Sequence, residues 1–331
     1  MQGQLFSLLD IPFPSYFVLL LTGFLLATVM GAIWAKRVGQ NPDVMVDLGL
    51  AMLLSGVAGA RILHVLADGY FWDYVHLCTD PSQVTWPFSK AECMQIIQPD
   101  WLDQQLGCAK QGLARGRWDF AAGVCRPAER DCLAWAKFYG GGLTYYGGFL
   151  ASSATAWWLL KVDRFPFWKA ADAAGIIVAL GLGFGRMGCL LAGCCFGKPW
   201  SSSWALVFPP GSPASEWQAK AGLLEHASQP SLPVHATQIY ESAVSFGIAA
   251  FLMLYLHERK RYDGHVFIAF VGLYAAARAV LEIWRSDDRG GLGFLSTSQW
   301  IGVVLMVAAL LVHRVLVRRA SIQPRTGDAT S

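Results

Sequence analysis

The sequence predicts an all-α integral membrane protein with seven transmembrane helices and two extracytoplasmic insertions, its N-terminus outside and its C-terminus in the cytoplasm. Three observations support this. Of 331 residues, 54% are hydrophobic and only 15% are charged, with a mean hydropathy of +0.39, whereas a soluble domain carries about 25% charged residues. Seven apolar stretches are long enough to cross a bilayer, and basic residues cluster in alternate loops. We therefore exclude a soluble globular protein and treat residues 1–331 as a single membrane domain.

The seven apolar stretches define the predicted spans. Crossing about 30 Å of hydrocarbon takes about 20 helical residues, and helices are expected because a lipid-exposed backbone must satisfy its own hydrogen bonds. No basic segment precedes the first run and no small-residue cleavage site follows it, so we interpret it as a retained span and not as a signal peptide. The spans lie near 13–35, 45–67, 138–160, 170–192, 236–256, 264–284 and 296–316.

The distribution of lysine and arginine predicts the orientation. Short cytoplasmic loops collect these residues, and here they follow the first, third, fifth and seventh spans. This parity places the segments 68–137 and 195–235 outside. The basic residues concerned are Lys36, Arg37, Lys161, Arg164, Lys169, Arg259, Lys260, Arg261, Arg314, Arg318 and Arg319.

The two outer segments differ in composition. The 68–137 insertion is polar and cysteine-rich, and we expect it to be helical in part around 88–113. The 195–235 segment is rich in proline, which predicts an irregular head with a few short strands. If the first segment lies in an oxidising compartment, its five cysteines can form up to two disulfides and leave one free thiol. Their spacing does not reveal the pairing. Its cysteines are Cys78, Cys93, Cys108, Cys125 and Cys132.

Arg61 lies deep in the second span, where an arginine costs at least ~2.5 kcal/mol on insertion scales. Small residues, among them Gly56 and Gly59, occupy the preceding turns. Two interpretations stay open. The small residues could form a close helix contact while Arg61 pairs with a structural acid, or Arg61 could bind a lipid phosphate.

A glycine run opens the third span and is followed by Tyr145-Tyr146-Gly147-Gly148. Each glycine costs a helix about 1 kcal/mol relative to alanine, so helix stability does not account for the run. One interpretation is a hinge or a tight helix crossing with tyrosine in the interfacial belt. The other is that exposed backbone donates to a lipid headgroup while Tyr146 donates or accepts a proton.

The fifth span opens with His235-Ala236-Thr237-Gln238-Ile239-Tyr240-Glu241. Thr237 can cap the helix, and Glu241 can interact with the helix dipole. Four polar side chains so close together at a membrane boundary equally indicate a polar network that holds an active-site helix.

The sixth span ends with Arg278, Glu282 and Arg285, whose spacings of four and three place them on one helical face. Glu282 can pair with either arginine. Two arginines against one acid leave about one positive charge, which predicts an anionic ligand. The alternative is a purely structural ladder of ion pairs.

The fourth span closes with Gly185-Arg186-Met187-Gly188-Cys189, and Cys194 and Cys195 follow within six residues. Arg186 at this depth indicates a polar cavity or an anionic ligand. The cysteines have three interpretations: metal ligation, a disulfide or packing as small hydrophobes, and a nucleophilic thiolate beside Arg186. Zinc usually takes four ligands and C-x4-C-C matches no common site, so we expect no metal and no other cofactor.

Taken together, these motifs resemble those of the prolipoprotein diacylglyceryl transferase family, and the resemblance runs over all seven spans. The family's glycine-rich motif is similar to the stretch Gly141 to Gly148, and its G-R-x-G-N signature to Gly185 to Cys189. The family's H-P-S-Q-L-Y-E motif is similar to His235 to Glu241. Its R-F-x-x-E-x-x-R motif matches Arg278, Glu282 and Arg285.

The resemblance implies an enzyme of the bacterial cytoplasmic (inner) membrane. It would move the diacylglyceryl group of phosphatidylglycerol onto the lipobox cysteine of a preprolipoprotein signal peptide and release glycerol 1-phosphate. Arg186 and Arg278 would stabilise the departing phosphate, and Tyr146 or His235 would take the thiol proton. Membrane lipids are further partners, and we expect no nucleic acid. The substrate-binding residues implied are Tyr16, Arg61, Gly141, Gly142, Gly147, Gly188, Cys189, Cys194, Gln238, Tyr240, Glu241, Glu282 and Arg285.

The chain departs from the family pattern within the signature itself. Members usually have asparagine at the positions of Cys189 and Ala192 and glutamate at that of Cys194. The alternative function is therefore a non-transferase homologue of the same fold that acts as a phospholipid-binding or thiol-redox membrane protein. A transporter is disfavoured because the sequence has no inverted repeat.

Overall fold

A computed structural model describes residues 4–8, 11–86, 90, 116–137, 142–286, 291–292 and 295–322, with side chains from residue 18 to residue 319 except at 291 and 292. Nine α-helices lie within these ranges. A π-helical segment, Leu252–Leu256, continues the seventh helix, and a 3-10 turn, Glu282–Trp284, continues the eighth. The helices are α1 (Ser15–Arg37), α2 (Pro42–Ala67), α3 (Phe71–Thr79), α4 (Tyr145–Val162), α5 (Phe167–Ala192), α6 (Pro213–Lys220), α7 (Thr237–Phe251), α8 (His265–Leu281) and α9 (Thr297–Ile322).

Strands are few and short in the described residues. They form three antiparallel hairpins, each of two strands. The strands are β1 (Gln4–Leu8), β2 (Ile11–Pro14), β3 (Gly116–Asp119), β4 (Val124–Pro127), β5 (Gly291–Leu292) and β6 (Leu295–Ser296).

The predicted spans correspond to α1, α2, α4, α5, α7, α8 and α9. All of these except α4 are long and apolar enough to cross a membrane, which makes six in the described residues. The chain is thus a helical, multi-pass membrane protein. Helix α4 has only 18 residues, two tyrosines and two glycines at its start and a lysine near its end. The count of seven spans and the orientation stay predictions.

Helix α4 starts later than the sequence predicts. The third span was expected from residue 138, but Gly142 has a φ of +65° and Thr144 is extended, with φ −89° and ψ 119°. A left-handed residue followed by an extended one cannot continue a helix. Residues 138–141 lie outside the described part of the chain.

The chain divides into two compact units, residues 1–46 with 165–331 and residues 47–164. In the first unit, α5 packs against α1, α7 and α8. Glycines make these contacts close, since a Cβ on Gly23 would lie 2.8 Å from the Phe184 side chain and one on Gly175 would lie 3.1 Å from the Phe267 backbone. Small residues favour such close approach between membrane helices, where apolar burial gives little drive.

Asp172 on α5 fixes the start of α8. Its side chain is fully buried and accepts hydrogen bonds from the backbone N–H groups of Val266 and Phe267 at 2.9 and 3.3 Å. These N–H groups lie in the first turn of α8, where backbone donors have no partner within the helix. Lys260 Nζ lies 3.0 Å from the same carboxylate and balances its charge.

In the second unit, α2 and α4 cross at glycines. A Cβ on Gly147 would collide with Gly59 O and lie 2.5 Å from Leu63 Cβ, and a Cβ on Gly59 would lie 2.6 Å from Gly147 O. This confirms the predicted close contact of the small residues before Arg61. It also agrees with the helix-crossing interpretation of the glycine run.

The 68–137 insertion has a small core of its own around Leu77, Val84 and Trp86. Cys78 is bonded to Cys132, and Cys125 is also disulfide-bonded, in agreement with the predicted disulfides. Most of the region 88–113, predicted to be helical in part, lies outside the described residues.

The 195–235 segment has no strand. Within it the backbone pairs only at the isolated bridges Pro199–Val234 and Leu206–Val234, and Gly197 forms a third bridge to Arg285. The predicted short strands are replaced by single bridges because the segment's prolines cannot donate to a ladder. The short helix α6, which we did not predict, begins at a proline and is capped by Ser212, which accepts from Ser215 N at 3.3 Å. The organisation as a single membrane domain with two insertions stays a prediction.

Candidate active site

The candidate site begins at the C-terminus of α5. Gly193 is left-handed, with φ +71°. Cys194 N donates to Cys189 O at 3.1 Å, and Gly193 N donates to Leu190 O at 3.2 Å. This pair of bonds is a Schellman motif, in which the side chains of the first and sixth residues come together. The motif thus brings Cys194 back towards Cys189.

Cys195 continues this turn with a φ of +61°, a conformation that costs a residue with a Cβ about 1 kcal/mol or more. The N-terminus of α7 holds the turn in place. Thr237 Oγ1 donates to Cys195 O at 2.8 Å, and Gln238 Nε2 donates to Cys194 O at 2.7 Å. Both donors are at most 2% exposed, so Gln238 positions the cysteine turn.

The chain after the cysteines is tied to the end of α8. Gly197 pairs with Arg285 in an isolated bridge, and Lys198 N donates to Trp284 O at 2.8 Å. A Cβ on Gly197 would lie 2.6 Å from Trp284 O and from His235 Cβ. Only glycine therefore lets α5, α7 and α8 converge here.

Glu241 is the centre of the polar cluster. Its side chain is 2% exposed, and its carboxylate lies 2.9 Å from Arg186 Nη2 and 3.5 Å from Arg285 Nη1. Tyr274 donates to the same carboxylate at 3.2 Å. The sequence predicted a polar network at the start of this helix, and α5, α7, α8 and the segment after α8 together build it.

A second ion pair lies on the same helical face as Tyr274. Arg278 Nη1 is 2.6 Å from Glu282 Oε2, so of the two pairings considered for Glu282 the structure has the one with Arg278. Tyr274 lies one helical turn before Arg278 and donates to Glu241, so it adjoins both ion-pair groups.

The described residues of this arginine–glutamate cluster carry one net positive charge, from Arg186, Arg278, Arg285, Glu241 and Glu282. Arg278 Nη2 is buried and has no hydrogen-bond partner among the described residues. A buried donor without a partner costs about 1–3 kcal/mol, and more when it is charged. The arrangement therefore favours an anion that accepts from Arg278.

His235 lies just before α7. Its ring stacks on Trp200, with centroids 4.2 Å apart and an angle of 8° between the planes, and Tyr240 approaches it edge-on at 6.3 Å. Burial, and to a smaller extent the charge of Lys198, hold the pKa of His235 below its ordinary value of 6.5. The imidazole is therefore neutral near pH 7 and able to accept a proton.

Several predicted residues lie in the second unit. Tyr146, on the first turn of α4, is 67% exposed. Arg61 is 5% exposed and donates to the carbonyl groups of Trp135, Ala134 and Gly142 at 2.7, 2.7 and 3.1 Å. Arg61 thus holds the chain before α4, and its predicted contact with a lipid phosphate stays a prediction.

Three other residues were predicted to bind substrate. Gly188 is buried on α5. Gly141 lies outside the described residues, and so does the side chain of Tyr16. Their assignment to substrate binding stays a prediction, as do the other assigned roles.

Tyr274 was missed by sequence reasoning. It lies four residues before Arg278, and that spacing places both on one face of α8. A tyrosine among apolar residues is nevertheless typical of a packed core. Only the fold brings its hydroxyl group to Glu241.

The chain was compared with known protein families. The model described as "Prolipoprotein diacylglyceryl transferase" matches residues 4–88 and 125–315. The chain belongs to this family. The matched residues include all members of the arginine–glutamate cluster and the three free cysteines, while the unmatched residues 89–124 contain Cys93 and Cys108.

Individual transferases of the family are similar to the chain at low identity. A phosphatidylglycerol–prolipoprotein diacylglyceryl transferase of Clostridium tetani is 24% identical over 318 residues, covering 95% of this chain and 98% of that protein. A second, from Clostridium perfringens, is 26% identical and covers 95% and 93%. One from Pseudomonas fluorescens is 34% identical over 174 residues, or 52% of this chain and 58% of that protein.

Proposed function

We propose that the protein is a phosphatidylglycerol–prolipoprotein diacylglyceryl transferase of the bacterial inner membrane. It transfers the diacylglyceryl group of phosphatidylglycerol, taken from the surrounding membrane lipids, to the lipobox cysteine of a preprolipoprotein signal peptide. The observation that carries the proposal is the net positive charge of the arginine–glutamate cluster, together with the buried Arg278 donor that has no hydrogen-bond partner among the described residues. The similarity to named transferases over 95% of the chain supports the same conclusion.

The cluster suits the departure of a phosphate. When the bond between the glycerol carbon and the phosphate oxygen breaks, negative charge develops on that oxygen. Fixed cations in a water-poor site stabilise such charge without having to reorganise. Glu241 holds Arg186 in position at 2.9 Å, and Glu282 holds Arg278 at 2.6 Å. In this mechanism Arg186 and Arg278 contact the phosphate, and the glutamates orient them.

The incoming thiol must lose its proton before its sulfur attacks the glycerol carbon. His235 is neutral near pH 7 and has a buried Nδ1 that lacks a partner among the described residues, so it is a suitable acceptor. Tyr146 is the second candidate base.

The test is lipidation of a synthetic lipobox peptide by the purified protein in micelles that contain phosphatidylglycerol. We expect transfer by the wild-type protein and a loss of at least about 100-fold in Arg278→Gln, since one such donor is worth 10²–10³ in rate. Arg314→Gln, at an exposed arginine of α9, is the matched control and should keep wild-type activity. No transfer by wild-type protein that demonstrably binds the lipid would refute the proposal.

A thiol-redox homologue is the second candidate function, favoured by three free cysteines whose sulfur atoms lie close together. Intact-protein mass spectrometry separates the two. A disulfide between two of these cysteines that opens with reductant, combined with absence of transfer, would support the redox function.

A further inference from the structure

The three free cysteines at the end of α5 form a compact sulfur cluster. The Sγ atoms of Cys189, Cys194 and Cys195 all lie within 4.8 Å of one another, and all three side chains are half-buried. Cys189 and Cys194 were assigned only to substrate binding, and the mechanism proposed above gives none of the three cysteines a part in the chemistry. The Schellman motif brings the first two together, but it does not require cysteine at either position, nor does it place the third.

The cluster has the dimensions of a zinc site. Zinc binds thiolates at about 2.3 Å, so sulfurs in a tetrahedral site lie about 3.8 Å apart. Sulfurs within 4.8 Å of one another reach that geometry through shifts of about 1 Å. The backbone is already arranged, because Thr237 and Gln238 hold the carbonyls of Cys195 and Cys194.

The surrounding charge also suits a zinc–thiolate group. Three thiolates and one Zn²⁺ carry a net charge of −1, which is costly to bury unless a cation lies beside it. Arg186 interacts electrostatically with Cys189 and Cys195, and Arg285 interacts with Cys195. The excess positive charge of the arginine–glutamate cluster can thus be balanced by the zinc–thiolate group as well as by the lipid phosphate.

Three ligands distinguish a catalytic zinc site from a structural one. Structural zinc has four protein ligands, whereas catalytic zinc has three and leaves the fourth position to water or substrate. From the sequence we expected no metal, because the motif has no fourth cysteine. Three cysteines are nevertheless the number of protein ligands in a catalytic zinc site.

We propose that Cys189, Cys194 and Cys195 bind one Zn²⁺ and that its open position binds the substrate's cysteine as a thiolate. The second half of this statement rests on the proposed transferase function. Binding to zinc releases the thiol proton, which His235 or solvent accepts, since a thiol that coordinates zinc is deprotonated outright. The sulfur then forms a bond to the glycerol carbon, the carbon–oxygen bond to phosphate breaks, and glycerol phosphate leaves with that electron pair. The thioether leaves zinc, and nothing is oxidised or reduced.

The first test is metal content. Protein purified without chelator, supplied with zinc and then desalted should contain about one zinc per chain. Cys189→Ser, Cys194→Ser and Cys195→Ser should each lower this at least tenfold. Met187→Ser removes a sulfur from an exposed position on the same helix and should retain zinc. Wild-type protein without zinc, zinc retained by all three cysteine variants, or copper or iron in its place would overturn the proposal.

The second test needs only the wild-type protein, so it holds even where a variant fails to fold. X-ray absorption at the zinc edge should show three sulfur ligands and one lighter atom, and four sulfurs after addition of a lipobox peptide in micelles without phosphatidylglycerol, where the thioether cannot form. A peptide with serine in place of the lipobox cysteine should leave three. Three sulfurs with both peptides would overturn thiol binding.

Peptide lipidation, measured after phosphatidylglycerol is added to the same samples, separates the two proposals. Lipidation by protein without zinc refutes the zinc site and leaves the transferase function standing. Four sulfurs without any lipidation refute the transferase function and support the zinc site.

Discussion

The Glu241 carboxylate forms ion pairs with Arg186 and Arg285 and accepts a hydrogen bond from Tyr274. The resemblance to the family implies a glutamate at the position of Cys194 in other members, where this chain has a thiol. In this chain Glu241 pairs with both Arg186 and Arg285.

Replacing Glu241 tests its place at the centre of the cluster. Glu241→Gln keeps the shape but removes the charge, so Arg186 and Arg285 lose their anionic partner. Breaking a buried ion pair from one side costs about 3–5 kcal/mol. We expect a fall of that order in the free energy of unfolding, measured in detergent by thermal or denaturant titration. Glu225→Gln, at an exposed acid, is the control, and equal stability of the two variants would contradict the assignment.

The lowered pKa of His235 predicts the pH dependence of transfer. If His235 is the base, its neutral form persists below pH 6.5, and activity should fall only at lower pH. Lys198 contributes to the lowering, so Lys198→Gln should raise the pKa and move the acidic limb of the profile upward. The measurement is the initial rate of lipidation from pH 4.5 to 8. If the acidic limb of the pH–rate profile is the same in Lys198→Gln as in the wild type, another group is the base.

At the scale of elements, the crossing of α2 and α4 depends on glycine. Gly147→Ala introduces a Cβ into contact with Gly59 O and Leu63 Cβ, and backbone cannot yield as a flexible side chain does. Overpacking of this kind costs about 1–3 kcal/mol. The change in unfolding free energy measures it.

Gly181→Ala is the matched control for this substitution. A Cβ there meets nothing within 4 Å, and alanine favours a helix over glycine by up to about 1 kcal/mol. The control should therefore be neutral or stabilising. A Gly147→Ala protein as stable as the control would show that the crossing tolerates a Cβ.

The positions of the helices could be predicted because hydropathy and length decide them. The start of α4 could not, since it depends on the left-handed Gly142. In the site, spacing placed Glu282 on one face with Arg278 and Arg285 but left its partner open, and the structure pairs it with Arg278. The pairing of Arg186 with Glu241 joins residues 55 positions apart in the sequence, and only the packing of α5 against α7 brings them together.

For the whole molecule, the membrane topology depends on whether α4 crosses the bilayer. If it does, the 68–137 insertion and the 195–235 segment face the same side, because α4 and α5 lie between them. If it does not, they face opposite sides. The Cys78–Cys132 disulfide requires an oxidising compartment for the insertion, so the prediction of seven spans also places the 195–235 segment outside.

Single cysteines introduced on the surface test this topology. Phe120→Cys, Ser203→Cys and Glu258→Cys are at exposed positions in the insertion, in the 195–235 segment and after α7. With seven spans, an impermeant maleimide added to intact cells should label Cys at 120 and 203, and label 258 only after lysis, each above the labelling of the parent chain. Labelling of 120 and 258 without 203 would mean that α4 lies on one side of the bilayer. The basic loops favour the first result, because Lys161, Arg164 and Lys169 would otherwise face outward, against the bias of short loops.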